Sequence, residues 1–151
     1  ESCVDRVNGF LDGLGDSKDK FKIVAQQDGG AALDKSMELA EDIITATPDL
    51  DAFFCINDPS ALGAAAAIKA ANKTGKIGVY SIDASPDGKQ ALLDGEFTAV
   101  ACQVPVQIAE YSFNEAVKYV NGDTKIDEKK VYLDSHLVLK DEAEKTLKEW
   151  Q

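Results

Sequence analysis

Three times a hydrophobic run ends on a polar side chain able to make paired hydrogen bonds: Phe53-Phe54-Cys55-Ile56-Asn57, Val79-Tyr80-Ser81-Ile82-Asp83 and Val100-Ala101-Cys102-Gln103. A proline or a helix start lies just behind each. An amide both donates and accepts, and an ionised carboxylate accepts at two oxygens, so each of the three is an adhesive side chain. If the runs are parallel strands, their carboxyl ends share one edge of the sheet, which is where open α/β folds collect ligands. The rim is therefore expected to recognise a molecule rather than to break a bond. No GxSxG elbow, GxGxxG loop or P-loop string is present. Asp83 could in principle accept a phosphoryl group, but the paired acidic residues that would hold Mg²⁺ beside it are not evident. An enzyme is not expected, nor a cofactor.

Other chemistry-bearing residues carry blander readings. Cys3, Cys55 and Cys102 are odd in number and lack CxxC spacing, so neither a disulfide framework nor a zinc site is expected. Cys55 and Cys102 sit inside apolar runs and read as buried, inert thiols. His136, the single histidine, has no serine or cysteine partner at a suggestive spacing and reads as structural. Arg6, on an otherwise apolar helix face, could serve the rim or merely bridge Asp5 or Asp12. Asp87 and Asp94 read as solvated helix charges.

The elements that must position the rim follow from periodicity and punctuation. Val4, Val7, Phe10, Leu11 and Leu14 share one face of a first helix, stopped by Gly15-Asp16-Ser17. Phe21 to Gln26 reads as a strand, and Leu33 to Thr45 as a helix that Pro48 cannot continue. Ala52 to Ile56 is short and continuously apolar, as a strand covered on both faces should be. Asp58 can then cap a helix with Pro59 at its first turn, and an alanine-rich body follows to Ala71. Ile77 to Ile82 is the next strand, and Ser85-Pro86 repeats the cap-and-proline device for a helix closed by Asp94-Gly95. Phe97 to Cys102 is a strand and Pro105 to Val120 a helix. Val131 to Leu133 and His136 to Leu139 read as extended, and Asp141 to Trp150 as a terminal helix. This alternation predicts right-handed βαβ units, hence an α/β fold with a mostly parallel sheet and helices on both faces.

Composition bounds the partners. At 151 residues and 44% hydrophobic content one core is comfortable and two are not. The balance of 16 Lys plus Arg against 27 Asp plus Glu gives a net charge of −11, with no basic cluster, so nucleic acid and anionic membrane are poor partners. No stretch approaches the roughly 18 to 20 apolar residues of a membrane span. The opening Glu1-Ser2-Cys3-Val4-Asp5-Arg6 lacks the basic and apolar regions of a signal peptide, which a mature exported chain has in any case lost.

Four ordered strings carry a resemblance: Arg6-Val7-Asn8-Gly9-Phe10, Phe54-Cys55-Ile56-Asn57-Asp58-Pro59-Ser60-Ala61-Leu62-Gly63-Ala64, Ser81-Ile82-Asp83-Ala84-Ser85-Pro86-Asp87-Gly88, and Asp94 through Pro105. In order and spacing they resemble the carboxyl-terminal part of the sugar-binding proteins of bacterial ABC importers, closest to the ribose-binding group. The resemblance implies a type I periplasmic-binding fold, in which two α/β lobes joined by a hinge close on a sugar. It implies capture of a monosaccharide or polyol outside the cytoplasm, in a periplasm or lipid-anchored at the cell surface, for delivery to an ABC importer permease. It places Arg6, Asn57, Asp83 and Gln103 against the ligand, with Gln103 where the chain crosses the hinge. Effector-sensing lobes of lactose-repressor-type regulators share the fold and similar strings. The compact Ser85 to Glu96 segment and the absence of a basic headpiece favour the transporter.

Two departures shape the expectations. Where the family puts an aromatic ring on the loop after the second strand, this chain has Gly29-Gly30-Ala31-Ala32, with Ala31 at the matching position as a possible loop contact. The pocket is expected to be roomier there. By the same resemblance residues 1–103 are an incomplete ligand-binding lobe, 104–139 cross the hinge to finish the other lobe, and 140–151 return as a helix. A fragment is expected, lacking the other lobe and one interior strand, which another polypeptide or an exchanged dimer would supply.

Overall fold

A computed structural model describes residues 2–123 and 131–150. Helices and strands alternate through most of it. Helix α1 (Ser2–Gly13) runs into a 3₁₀ turn (Gly15–Lys20), and α2 (Leu33–Ala46) leads to β1 (Ala52–Phe54). Then come α3 (Asp58–Ala70), β2 (Gly78–Asp83), α4 (Pro86–Leu93), β3 (Ala99–Cys102) and α5 (Pro105–Val120), with β4 (Leu137–Val138) and α6 (Lys140–Lys145) closing the series. The strands form one sheet in the order β1-β2-β3-β4, parallel except for β4, which runs antiparallel to β3 with Val138 opposite Val100. The α/β architecture, mostly parallel with helices on both faces, is thus present.

The core lies on one face of the sheet. Val79, Ser81, Val100, Cys102 and Val138 are all buried there, beneath α3, α4 and α6. The alanines of α3 allow α2 to lie close against it, and at Gly63 a Cβ would run into the Leu33 carbonyl. The alternate strand residues face α1, whose Phe10 ring stacks on Phe54 at 4.3 Å between centroids. That second face is only partly covered: Tyr80 is 44% and Leu137 54% exposed.

Several expected elements differ. Phe21 to Gln26 is not a strand; Phe21 has extended dihedrals, but no described strand pairs with the segment and Phe21, Ile23 and Val24 stay exposed. An extended segment becomes a strand only when a neighbour takes its N–H and C=O groups. Val131 to Leu133 likewise lacks a ladder. The terminal helix ends at Lys145 instead of Trp150, because the buried Lys89 ammonium takes the Thr146 and Glu149 carbonyls at 2.9 and 2.7 Å. Leu137–Val138, within the segment expected to serve another lobe, pairs in this sheet.

Candidate functional site

The carboxyl ends of β1, β2 and β3 open on one edge, as the parallel ladder requires. Asn57 leaves β1 with extended backbone (φ −158°, ψ 166°) and caps α3: its Oδ1 accepts from the Ser60 N–H at 3.0 Å. The capping residue is therefore Asn57 and not Asp58, which already lies in the helix. Both types cap well, and the choice is made by a contact remote in sequence that keeps Asp58 elsewhere. The Asn57 Nδ2 donates to the Ala31 carbonyl at 3.3 Å, so both ends of the amide are assigned. Ala31 has a positive φ of 55°.

Asp83 is the centre of the rim. Its Oδ1 accepts from Gln103 Nε2 at 2.5 Å and lies 3.2 Å from Arg6 Nη1, while Oδ2 faces the Asp58 N–H at 3.4 Å. The Gln103 N–H donates to the Asp83 carbonyl at 3.2 Å, so side chain and main chain of the two are tied together. Arg6 also donates to the Ile56 carbonyl at 2.5 Å, which anchors α1 to the end of β1. It bridges Asp83 rather than Asp5 or Asp12. The side chains of Arg6 and Asp83 keep 20% and 15% of their surface, enough for a ligand to reach them. The structure thus brings Arg6, Asp83 and Gln103 into direct contact, with Asn57 and Ala31 alongside. A charge-neutralised carboxylate flanked by amides offers a polyhydroxylated molecule acceptors and donors at fixed spacing.

The backbone at this point is unusual. Asp83 has φ 132° and Ala84 φ 54°, conformations that cost a residue with a side chain about 1 to 3 kcal/mol each. The group that holds them, Asp58, read in the sequence only as a helix cap. Asp58 is 1% exposed, and its Oδ1 accepts from Ser81 Oγ at 2.7 Å. Its Oδ2 accepts from the Ser85 N–H at 2.8 Å and from Ser85 Oγ at 2.6 Å. Burial raises the Asp58 carboxyl above the usual range, the serine hydrogen bonds oppose that, and the Asp83 charge adds to the rise. The readable signal was the pair of serines two positions before Asp83 and two after it.

Cys55 is buried, and desolvation pushes its thiol up to about 12. His136, read as structural, has a cysteine partner remote in sequence: Nδ1 lies 3.2 Å from Cys102 Sγ, and Nε2 lies 2.7 Å from Glu142 Oε1. The pairing joins β3 to β4 across 34 residues, a separation no local spacing signals. Cys102 has no exposed surface, so the arrangement ties β4 and α6 to the sheet and offers no nucleophile to solvent. Asp87 and Asp94 are exposed. Among the described residues no group of three or more His, Cys, Asp or Glu could hold a metal ion.

Comparison with known proteins bears on the family and the fold. The periplasmic binding protein domain matches residues 2–124. The ribose import binding protein RbsB of Escherichia coli is 33% identical over 119 residues, 79% of this chain and 39% of that one. A galactofuranose-binding protein superposes with a TM-score of 0.86 at 32% identity, covering 95% of this chain and 49% of the other. The Caulobacter myo-inositol-binding protein, solved with myo-inositol, gives a TM-score of 0.85 at 28% identity over 94% and 48%. The chain spans about half the length of these structures and less of the curated relative. It belongs to the periplasmic binding protein family, in the type I, ribose-binding-like group of sugar-binding members.

Proposed function

We propose that this chain supplies one side of a sugar- or polyol-binding cleft whose protein captures its ligand outside the cytoplasm and delivers it to an ABC importer permease. The observation that carries the reading is the Asp83 carboxylate, held by Arg6 and Gln103 on a strand-end rim beside an oriented Asn57. Asp83 would accept from two vicinal hydroxyls, Arg6 would donate to a hydroxyl or ring oxygen, and the two amides would fix the ligand's orientation. Each charge-assisted bond contributes roughly 1.5 to 3 kcal/mol. Nothing in the rim calls for covalent chemistry, so the protein is read as a binding protein and not an enzyme.

In this reading residues 1–103 are the ligand-binding lobe, 104–139 cross a hinge, and 140–151 return, with Leu137–Val138 already back on the sheet as β4. A second lobe would cover the apolar side chains of α5, which has no buried residue and leaves Ile108, Tyr111, Phe113 and Val117 at least 40% exposed. A groove of about 1010 Å³ running from Arg6 and Gln103 past Ile108 and Tyr111 would be the place where that lobe meets this one. Whether it comes from the same polypeptide, another one or an exchanged dimer does not alter the cleft. Periplasm and lipid-anchored cell surface are both compatible settings.

The test is calorimetric titration of the complete protein with D-ribose, with D-galactose, whose solutions contain the furanose form, and with myo-inositol. Saturable 1:1 binding of at least one is expected. No heat and no rise in melting temperature with any of them, or with a wider panel of monosaccharides and polyols, would sink the reading.

A further inference from the structure

We infer that Asp58, which is too buried to meet a ligand, is a positioning residue of the rim: its carboxylate clamps both sides of the Asp83–Ala84 corner and so fixes where Asp83 points. The inference rests on the sugar-binding reading of the rim.

The corner is a place where the chain would relax if released. Two consecutive residues with side chains hold positive φ, and neither is glycine. Such a conformation persists only where its surroundings over-determine it. Asp58 does this from one carboxylate. Oδ1 takes the hydroxyl of Ser81, two residues ahead of Asp83, and Oδ2 takes both the N–H and the hydroxyl of Ser85, two residues behind it. The Asp58 N–H adds a direct contact to Asp83 Oδ2. The Ser85 hydroxyl, while donating to Asp58, accepts from the Gly88 N–H at 3.1 Å, so the same contacts start α4. One buried side chain therefore couples the ends of β1 and β2 and the first turns of α3 and α4.

Gly88 shows that the surroundings are fitted to this carboxylate. It lacks the positive φ that would ask for glycine on backbone grounds, yet a Cβ there would drive straight into both carboxylate oxygens of Asp58. A methyl at 88 would consequently push on Asp58 without removing any polar group.

The experiment compares four variants of the complete protein, using whichever of D-ribose, D-galactose and myo-inositol binds the wild type most tightly. Asp58→Ala and Gly88→Ala are each expected to weaken binding on the order of ten-fold or more, since small misplacements of a reacting or binding group carry large penalties. Asp58→Asn is expected to restore most of the affinity, because its Oδ1 can keep the two Ser85 donors while its amide donates to the Ser81 oxygen. Ile44→Ala, a truncation in the core beneath α2, serves as a control that lowers melting without touching the corner. It should leave the affinity near the wild-type value. If Asp58→Ala does not fold, Gly88→Ala and Asp58→Asn still decide. Wild-type affinity in Gly88→Ala, or an Asp58→Asn protein as weak as Asp58→Ala, would overturn the positioning role. So would an affinity loss no larger than that of Ile44→Ala at equal loss of melting temperature. Those results leave the sugar-binding reading standing, whereas a wild type that binds none of the three sugars removes that reading and this inference together.

Discussion

Asp83 is the residue on which recognition should turn. Its carboxylate is already paired with Arg6 and Gln103, so replacing it strands two donors at the rim as well as the ligand hydroxyls. Asp83→Ala is expected to bring calorimetric binding of the best sugar below detection while cooperative unfolding persists. Asn57→Ala should weaken binding and also lower melting, because the amide caps α3 at a typical worth of about 1 kcal/mol. The thiols offer an independent check on burial: iodoacetamide at mildly alkaline pH should label the exposed Cys3 in the native protein and spare Cys55 until it unfolds. The Asp58 carboxyl makes a pH prediction whose sign is set by its raised value. The native state keeps this proton to higher pH than the unfolded chain, so the group's stabilising contribution is full in acid and is lost as pH rises through the raised value. Urea unfolding between about pH 4 and pH 7 should show that decline in the wild type and a shallower one in Asp58→Asn.

At the scale of elements, what the sequence made legible was whatever depended on near neighbours. The cap-and-proline start of α4, the alanine body of α3 and the strand runs of β2 and β3 are local patterns, and they stand where expected. Asn57, Asp83 and Gln103 could be placed on one rim because parallel strands put their ends together whatever the loops do, whereas Arg6, on a helix, was placed there only by the resemblance. The failures all involve partners far along the chain. Phe21 to Gln26 has strand composition without a neighbour, and β4, extended as expected, takes its place in this sheet from pairing with Val100 and Ala101. Asp58 looked like a cap because its serine partners lie 23 and 27 residues away. The short α6 depends on Lys89, whose ammonium is fully buried and bound to two carbonyls of the terminal segment. Lys89→Met should leave those carbonyls unpaired and cost about 2 kcal/mol or more in chemical denaturation, with the loss of protection in hydrogen exchange concentrated in residues 140–150.

For the whole molecule, the distribution of apolar surface is the decisive property. One face of the sheet is sealed by α3, α4 and α6, with α2 packed on α3, whereas α5 carries an apolar stripe that no described helix or strand packs against closely and the α1 side leaves Tyr80 and Leu137 open. Soluble proteins seldom leave so much contiguous apolar surface uncovered, so in the complete protein a second body should meet this one near Arg6 and Gln103. A ligand held between the two would bind best when both reach it, and it can shift the open and closed populations only by its difference in affinity for them. Small-angle scattering of the complete protein should therefore show a smaller radius of gyration on saturation with the best-binding sugar. Asp83→Ala should abolish the change at the same sugar concentration, since it removes the binding that drives it. A wild-type radius that stays constant at full occupancy would mean that binding is not coupled to closure, and the apolar stripe of α5 would then need a partner unrelated to the ligand.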